Sequence, residues 1–348
     1  MRTEGLIWVP FASPGTRRGV GAVLAAVVSA YSAVVLVRLP KLAALPPHEL
    51  GVVLSGWACA YAVMVWTARR RGRIRRRFDG DAVALAAFAL LVAMIGVAQL
   101  GPLVTGADPS EVAPAVRYSA PSADHPLGTD RFGRDVWARL VYGARASFAV
   151  CALSVALAMV IGTVFGALSG MAPRRVDDIM MRVVDGLLSF PRLLLILTAV
   201  ALVPPGAGTL AVFIAATGWM GLARIVRGEV RRMRSREFVE AAVATGVATP
   251  RLLARHLMPN AVGAVVVAAT LNAGTVILIE STLSFLGLGL APPTPSWGGM
   301  VFEGRDALGH AWWVSASPAL AITAAVVALN MVGDGIRDAL EVRSSTEV

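Results

Sequence analysis

Lysine is nearly missing from this sequence: Lys41 is the single copy in 348 residues. A phosphate-binding loop of the form GxxxxGK[ST] needs a lysine on the phosphates, and none can be assembled around Lys41, so this chain is not itself a P-loop ATPase. Charge is scarce as well, at 16% of residues, although the balance is basic, +10 at neutral pH. A basic surplus can mark a nucleic-acid binder. Here the arginines gather in short loops between apolar runs with no aromatic interleaving, the pattern of the positive-inside rule, which excludes a nucleic-acid partner. The two cysteines, Cys59 and Cys151, both lie inside apolar runs and read as small core residues. No disulfide framework or metal ligand set is implied. What the chain has in abundance is apolar side chains, 56% of residues, with a mean hydropathy of +0.68. It therefore reads as an all-α integral membrane protein whose length is consumed by spans of about twenty residues.

The first two apolar runs, 20–37 and 51–67, are followed by the densest basic cluster, ARRRGRIRRRF at 68–78, which the positive-inside rule assigns to the cytoplasm. They form a hairpin, unless the first run is a signal peptide cleaved near Val28-Ser29-Ala30. Further spans are expected at 82–104, 146–171, 176–203, 209–223, 261–283 and 314–335, making eight crossings with both termini cytoplasmic. The alternation of Asp130, Arg131, Arg134, Asp135 and Arg139 with Val136, Trp137, Leu140 and Val141 predicts an amphipathic helix against the outer membrane surface. Asp177, Asp178, Arg182 and Asp185 read as a solvated cytoplasmic face in preference to helix-to-helix pairs. Pro191 is expected to kink its span, since an internal proline removes one backbone bond and clashes with the previous turn.

The polar stretch REFVEAAVATGVATPRLLARHLMPN, 236–260, separates two apolar runs. It predicts two short helices joined by a tight turn. Ser235 can cap the first, and Phe238, Ala241, Ala242 and Thr245 share one side of it. Gly246 ends it, because a helix closing in a left-handed residue favours glycine. Thr249-Pro250 starts the second helix, which carries Arg251, Arg255 and His256 toward its negative end and is halted by Pro259. This elbow resembles the EAA loop of permease subunits of binding-protein-dependent ATP-binding-cassette importers, through Glu240, Ala241, Ala242, Gly246 and Pro259. His256 and Met258 depart from that pattern, and the His-x-x-Pro-Asn ending is similar to the peptide-transport branch. The resemblance implies a coupling helix seated in a groove of a separate ATPase, with Phe238, Val239 and Leu252 packing there and Glu240 giving orientation.

Two other stretches resemble the dipeptide, oligopeptide and nickel permeases: HPLGTDRFGRDVWARLVYGARASF, 125–148, and STLSFLGLGLAPPTPSWGG, 281–299. In the second, Phe285, Leu286 and Trp297 are candidates for an outer gate. A polar group inside a span needs a reason. Asn272, Glu280 and Asn330 either line a water-filled path or serve packing; for Asn330 and Asp334, near the inner surface, the structural role is favoured. The resemblance implies a type I ABC importer permease fold: a six-helix core at 81–342, an extra two-helix hairpin at 1–80 and a tail at 343–348. It further implies a bacterial inner-membrane location, a homologous permease as heterodimer partner, two cytoplasmic ATPase domains holding ATP and Mg, and an extracytoplasmic substrate-binding protein. Besides these and membrane lipid, no cofactor is expected on this chain. Peptides are the expected cargo, with nickel or another small solute as the alternative. An ion-coupled secondary transporter and a membrane anchor for an ATPase are the readings from other classes.

Overall fold

The computed structural model describes residues 81–341, apart from 102–104 and 204–205. The expected hairpin of residues 1–80 and the tail 343–348 lie outside the described residues. Within them the chain is built of helices: α1 (Ala82–Gln99), α2 (Val136–Met171), α3 (Arg174–Leu188), α4 (Arg192–Val200), α5 (Ala207–Arg234), α6 (Glu237–Ala244), α7 (Thr249–Leu252), α8 (Met258–Phe285), α9 (Trp297–Gly304) and α10 (Trp313–Glu341). Five helical stretches are long and apolar enough to cross a membrane, and α3 with α4 supplies a sixth as a pair bent by 75°. The break falls at Ser189-Phe190-Pro191, so the expected kink is a full interruption, with Pro191 opening α4.

α2 and α5 form the central pair. Gly162, Gly166 and Gly170 recur every fourth residue on α2, facing α5. A Cβ at Gly166 would sit 2.3 Å from the Ala223 carbonyl oxygen, and one at Gly170 2.8 Å from Val230. Only glycine lets the backbones approach this closely, a device suited to helices that gain little from the hydrophobic effect in lipid. α8 and α10 pack beside this pair around Ile196, Ile214, Ala273, Val276, Ile277 and Leu283. Leu153, Val160, Val164 and Leu168 remain exposed on the outward side of α2, a surface that hydrocarbon accepts and water does not.

Of the amphipathic surface helix expected across 130–141, only 136–141 is helical, as the first turns of α2. Residues 125–135 instead fold into turns closed by an isolated bridge between Thr129 and Asp135. Asp135 then caps α2, accepting from Ala138 N at 2.7 Å. The alternation of charged and apolar residues came from a buried ion network, described below, and not from a face against lipid.

Candidate functional site

The elbow begins where α5 ends. Ser235 does not cap α6: its hydroxyl donates to the Arg232 carbonyl at 3.2 Å, closing α5, and Arg236 takes the position before α6 with no side-chain cap. Gly246 has φ +81°, the left-handed conformation expected of it. Its N–H reaches Val243 O at 2.9 Å and the next N–H, from Val247, reaches Ala242 O at 3.0 Å. These two bonds are the Schellman closure, which satisfies carbonyls the helix end leaves open. The second limb starts at Thr249 with Pro250 in its first turn, one residue earlier than expected.

Pro259 does not halt that limb. Residues Leu253–Leu257 form a π-helical turn that runs directly into α8, with Pro259 in the first turn of α8. A proline ring clashes with the carbonyl four residues back, here Arg255, and the wider π turn supplies the room. Thr249–Phe285 is thus one continuous helical stretch of 37 residues.

The elbow has two sides. Val239 and Leu252 are both 2% exposed and pack with Val230, Met233, Leu257 and Ala261 of this same chain. The expectation that these two side chains enter a partner's groove is therefore corrected: they hold the elbow onto the bundle. Phe238, 42% exposed, points outward together with Glu240, Ala241 and Thr245, while Ala242 is half-buried. Pro259 is exposed. The reason lies in register, since residues 238 and 239 differ by about 100° around a helix.

Beside the elbow, Asp177 of α3 is buried and not solvated. It accepts from Arg227 at 2.5 and 2.6 Å, from Arg231, and from Ser169 of α2 at 2.5 Å. Asp185 likewise pairs with Arg224, on the surface. Two of the four charges expected on a solvated face are therefore helix-to-helix pairs; Asp178 and Arg182 are exposed.

In the spans, Glu280 is fully buried, and its carboxyl oxygens accept from Ser147 of α2 at 3.0 Å and from Ser284 at 2.8 Å. Asn272 is half-buried on α8, and Asn330 is exposed on α10 with its side-chain oxygen beside Gly274. At the far end from the elbow, Phe285 and Leu286 are exposed at 40% and 50%, whereas Trp297 is buried. The Trp297 indole donates to Leu140 O at 3.0 Å and meets Phe148 edge-on at 5.3 Å, so it anchors α9 to α2.

That end also contains a cluster that sequence reasoning missed. Arg134 and Arg139 converge on Asp130 and on Glu303 of α9. Arg134 reaches Asp130 at 2.7 Å and Glu303 at 2.5 Å; Arg139 reaches them at 2.5 and 2.7 Å. Burial alone would raise the Glu303 pKa, but hydrogen bonding and charge from Arg139, with Arg134 adding to them, hold it below the usual glutamate value. Two cations and two anions thus compensate one another. No local pattern links residue 139 to residue 303, and the only signal available was an excess of charge in a loop expected to face lipid.

A helical bundle with five or six apolar spans, tied at one end to a polar two-limbed elbow, defines a multi-pass membrane protein. Residues 162–346 match the family described as the binding-protein-dependent transport system inner membrane component, and the chain belongs to that family. It is 38% identical over 268 residues to the dipeptide transport system permease protein DppC of Bacillus subtilis, covering 76% of this chain and 83% of the relative. It is also 38% identical to the oligopeptide transport system permease protein OppC of the same organism, covering 76% of this chain and 87% of the relative. Against the di/tripeptide transport system permease protein DppC of Pseudomonas aeruginosa it is 37% identical, covering 74% and 87%. A chain from inward facing conformations of the MetNI methionine ABC transporter matches with a TM-score of 0.49 and 18% identity, over 58% of this chain and 96% of that one.

Proposed function

We propose that this chain is the membrane-spanning permease subunit of an ATP-driven importer of di- and oligopeptides in the bacterial inner membrane. It forms half of the path together with a homologous permease. ATP and Mg are held by two cytoplasmic ATPase domains on other chains, cargo arrives on an extracytoplasmic binding protein, and this chain carries no cofactor and makes or breaks no bond. The observation that carries the reading is the elbow: its inner side is fixed by Val239 and Leu252, and its outer side, with Phe238 and Ala241, is left free for another protein. The names of the relatives support peptide cargo.

In this reading the elbow and both termini face the cytoplasm. Closure of the ATPase pair pushes on Phe238, Glu240 and Ala241, and the self-packed inner side passes the motion to α5 and α8. Asn272 and Asn330 are the path candidates. Glu280, held by Ser147 across α2 and α8, braces the wall of the path. Phe285 and Leu286 act at the outer gate, with Trp297 as its anchor. Gly246→Pro or Ala241→Glu abolishes ATP-driven peptide uptake in proteoliposomes holding the full importer, while peptide binding by the external protein is unchanged. Undiminished uptake in both variants overturns the proposal.

A further inference from the structure

Arg192 is handled unlike the ion-paired arginines of the bundle. Arg134, Arg139 and Arg227 each bond a carboxylate at 2.7 Å or less. Arg192, at the start of α4, is half-buried and pairs with no carboxylate among the described residues. Its guanidinium lies on the backbone of α5: Nη2 donates to Ile214 O at 3.1 Å and Nε to the Thr217 hydroxyl at 3.2 Å. Both acceptors are neutral, so the charge is held in place and not compensated. Gly218 makes this seat possible, since a Cβ there would come within 2.6 Å of Nη2. Nη1 bonds no group of the described chain.

The seat is deep. Gly218 lies roughly 16 Å along α5 from Ala207 at about 1.5 Å per residue, near half of a hydrocarbon core about 30 Å thick. A cation retained at that depth is held by a counter-ion or by backbone carbonyls, and the single carbonyl of Ile214 leaves donors of this guanidinium open to an anion. The side chains flanking it, Phe190 and Leu194, are 60% and 58% exposed, so no part of the described chain covers this edge at the α3/α4 break.

Resting on the peptide-importer reading, we infer that Arg192 is a specificity-determining residue of the path that binds the C-terminal carboxylate of the passing peptide. A planar guanidinium with two hydrogen bonds already fixed presents its remaining donors at low entropic cost, and those donors match a carboxylate. The Ile214 carbonyl and the Thr217 hydroxyl orient it.

The test compares uptake of a dipeptide with a free carboxylate and of the same dipeptide C-amidated, by the complete importer in proteoliposomes, at concentrations that load the external binding protein equally. Wild type favours the free acid by about tenfold, the scale of one charge-assisted contact. Arg192→Gln erases the preference, and Arg192→Lys keeps part of it. Gly218→Ala keeps the charge but displaces the guanidinium, and it also erases the preference. The assignment is overturned if Arg192→Gln retains the preference. It is equally overturned if that variant slows both dipeptides by one common factor, which would mark an arginine that pairs with an acid of the neighbouring subunit. A wild type that imports neither dipeptide overturns the peptide reading itself, a result separable from any behaviour of the variants.

Discussion

At the loop end of the bundle, Arg134 and Arg139 meet Asp130 and Glu303 inside the fold. At the elbow end, Arg236, Glu237, Glu240, Arg251 and Arg255 stay exposed, and none forms an ion pair among the described residues. Both ends are rich in charge, yet the loop end satisfies itself, whereas the elbow, beyond the Asp177 cluster of α3 and α5 beside it, leaves its own charges for water or a second protein. The self-satisfied end is rigid by construction, because withdrawing any member strands another in a poorly solvated place. The elbow is built the opposite way: its apolar inner side fixes its position, and its exposed outer side, where Phe238 and Ala241 sit among charges, can change with little effect on stability.

The largest effect is expected from breaking the closed end. Glu303→Gln leaves two buried arginines with a single carboxylate and should destabilise the chain by roughly 3–5 kcal/mol, read as a lower unfolding temperature in detergent. The same residue gives the comparison a pH axis. Because the folded state lowers the Glu303 pKa, its stabilisation is complete above the ordinary glutamate value and is lost as pH falls through the lower folded value. Acidification should therefore destabilise wild type more than Glu303→Gln.

At the elbow the two neighbouring positions should separate cleanly. Val239→Ala removes a side chain that is 2% exposed and should cost about 2 kcal/mol of stability through lost burial and a cavity. Gly246→Ala forces a Cβ into a left-handed conformation, which costs roughly 1 kcal/mol, visible as faster amide exchange at Gly246 and Val247 with the remaining bundle unaffected. Phe238→Ala should change stability by less than about 0.5 kcal/mol and yet reduce ATP-coupled uptake several-fold. Equal stability losses for Phe238→Ala and Val239→Ala would erase the distinction between the elbow's two sides.

How much of this was legible in the sequence depends on the range of the interaction. Gly246 was readable because a left-handed helix end is a local demand that few residues meet. The five long apolar helices were readable for the same reason, since twenty apolar residues state their own requirement, whereas the span expected at 176–203 is the bent pair of α3 and α4. Ser235 was misassigned because its hydroxyl had two backbone choices within four residues, and the end of α5 took it. Pro259 was misread because a π turn, invisible in periodicity, absorbs the clash that would have ended the helix. Asp177 with Arg227 and Arg139 with Glu303 were unreadable, since the partners are 50 and 164 residues apart and no spacing rule connects them. Arg192 falls inside the expected span 176–203 with no local pattern to mark it, and only the α5 backbone reveals where its charge rests.

The uninterrupted stretch from Thr249 to Phe285 has a mechanical consequence. At about 1.5 Å per residue its 37 residues span roughly 55 Å of helix, with the elbow's second limb at one tip and Glu280, bonded across to Ser147 of α2, near the other. A tilt of about 5° imposed at the first tip sweeps the second through roughly 5 Å, more than one bond network of this kind can follow without letting go. On the proposed reading, a nudge at the elbow is thereby magnified into a change of contacts at the far end of the bundle.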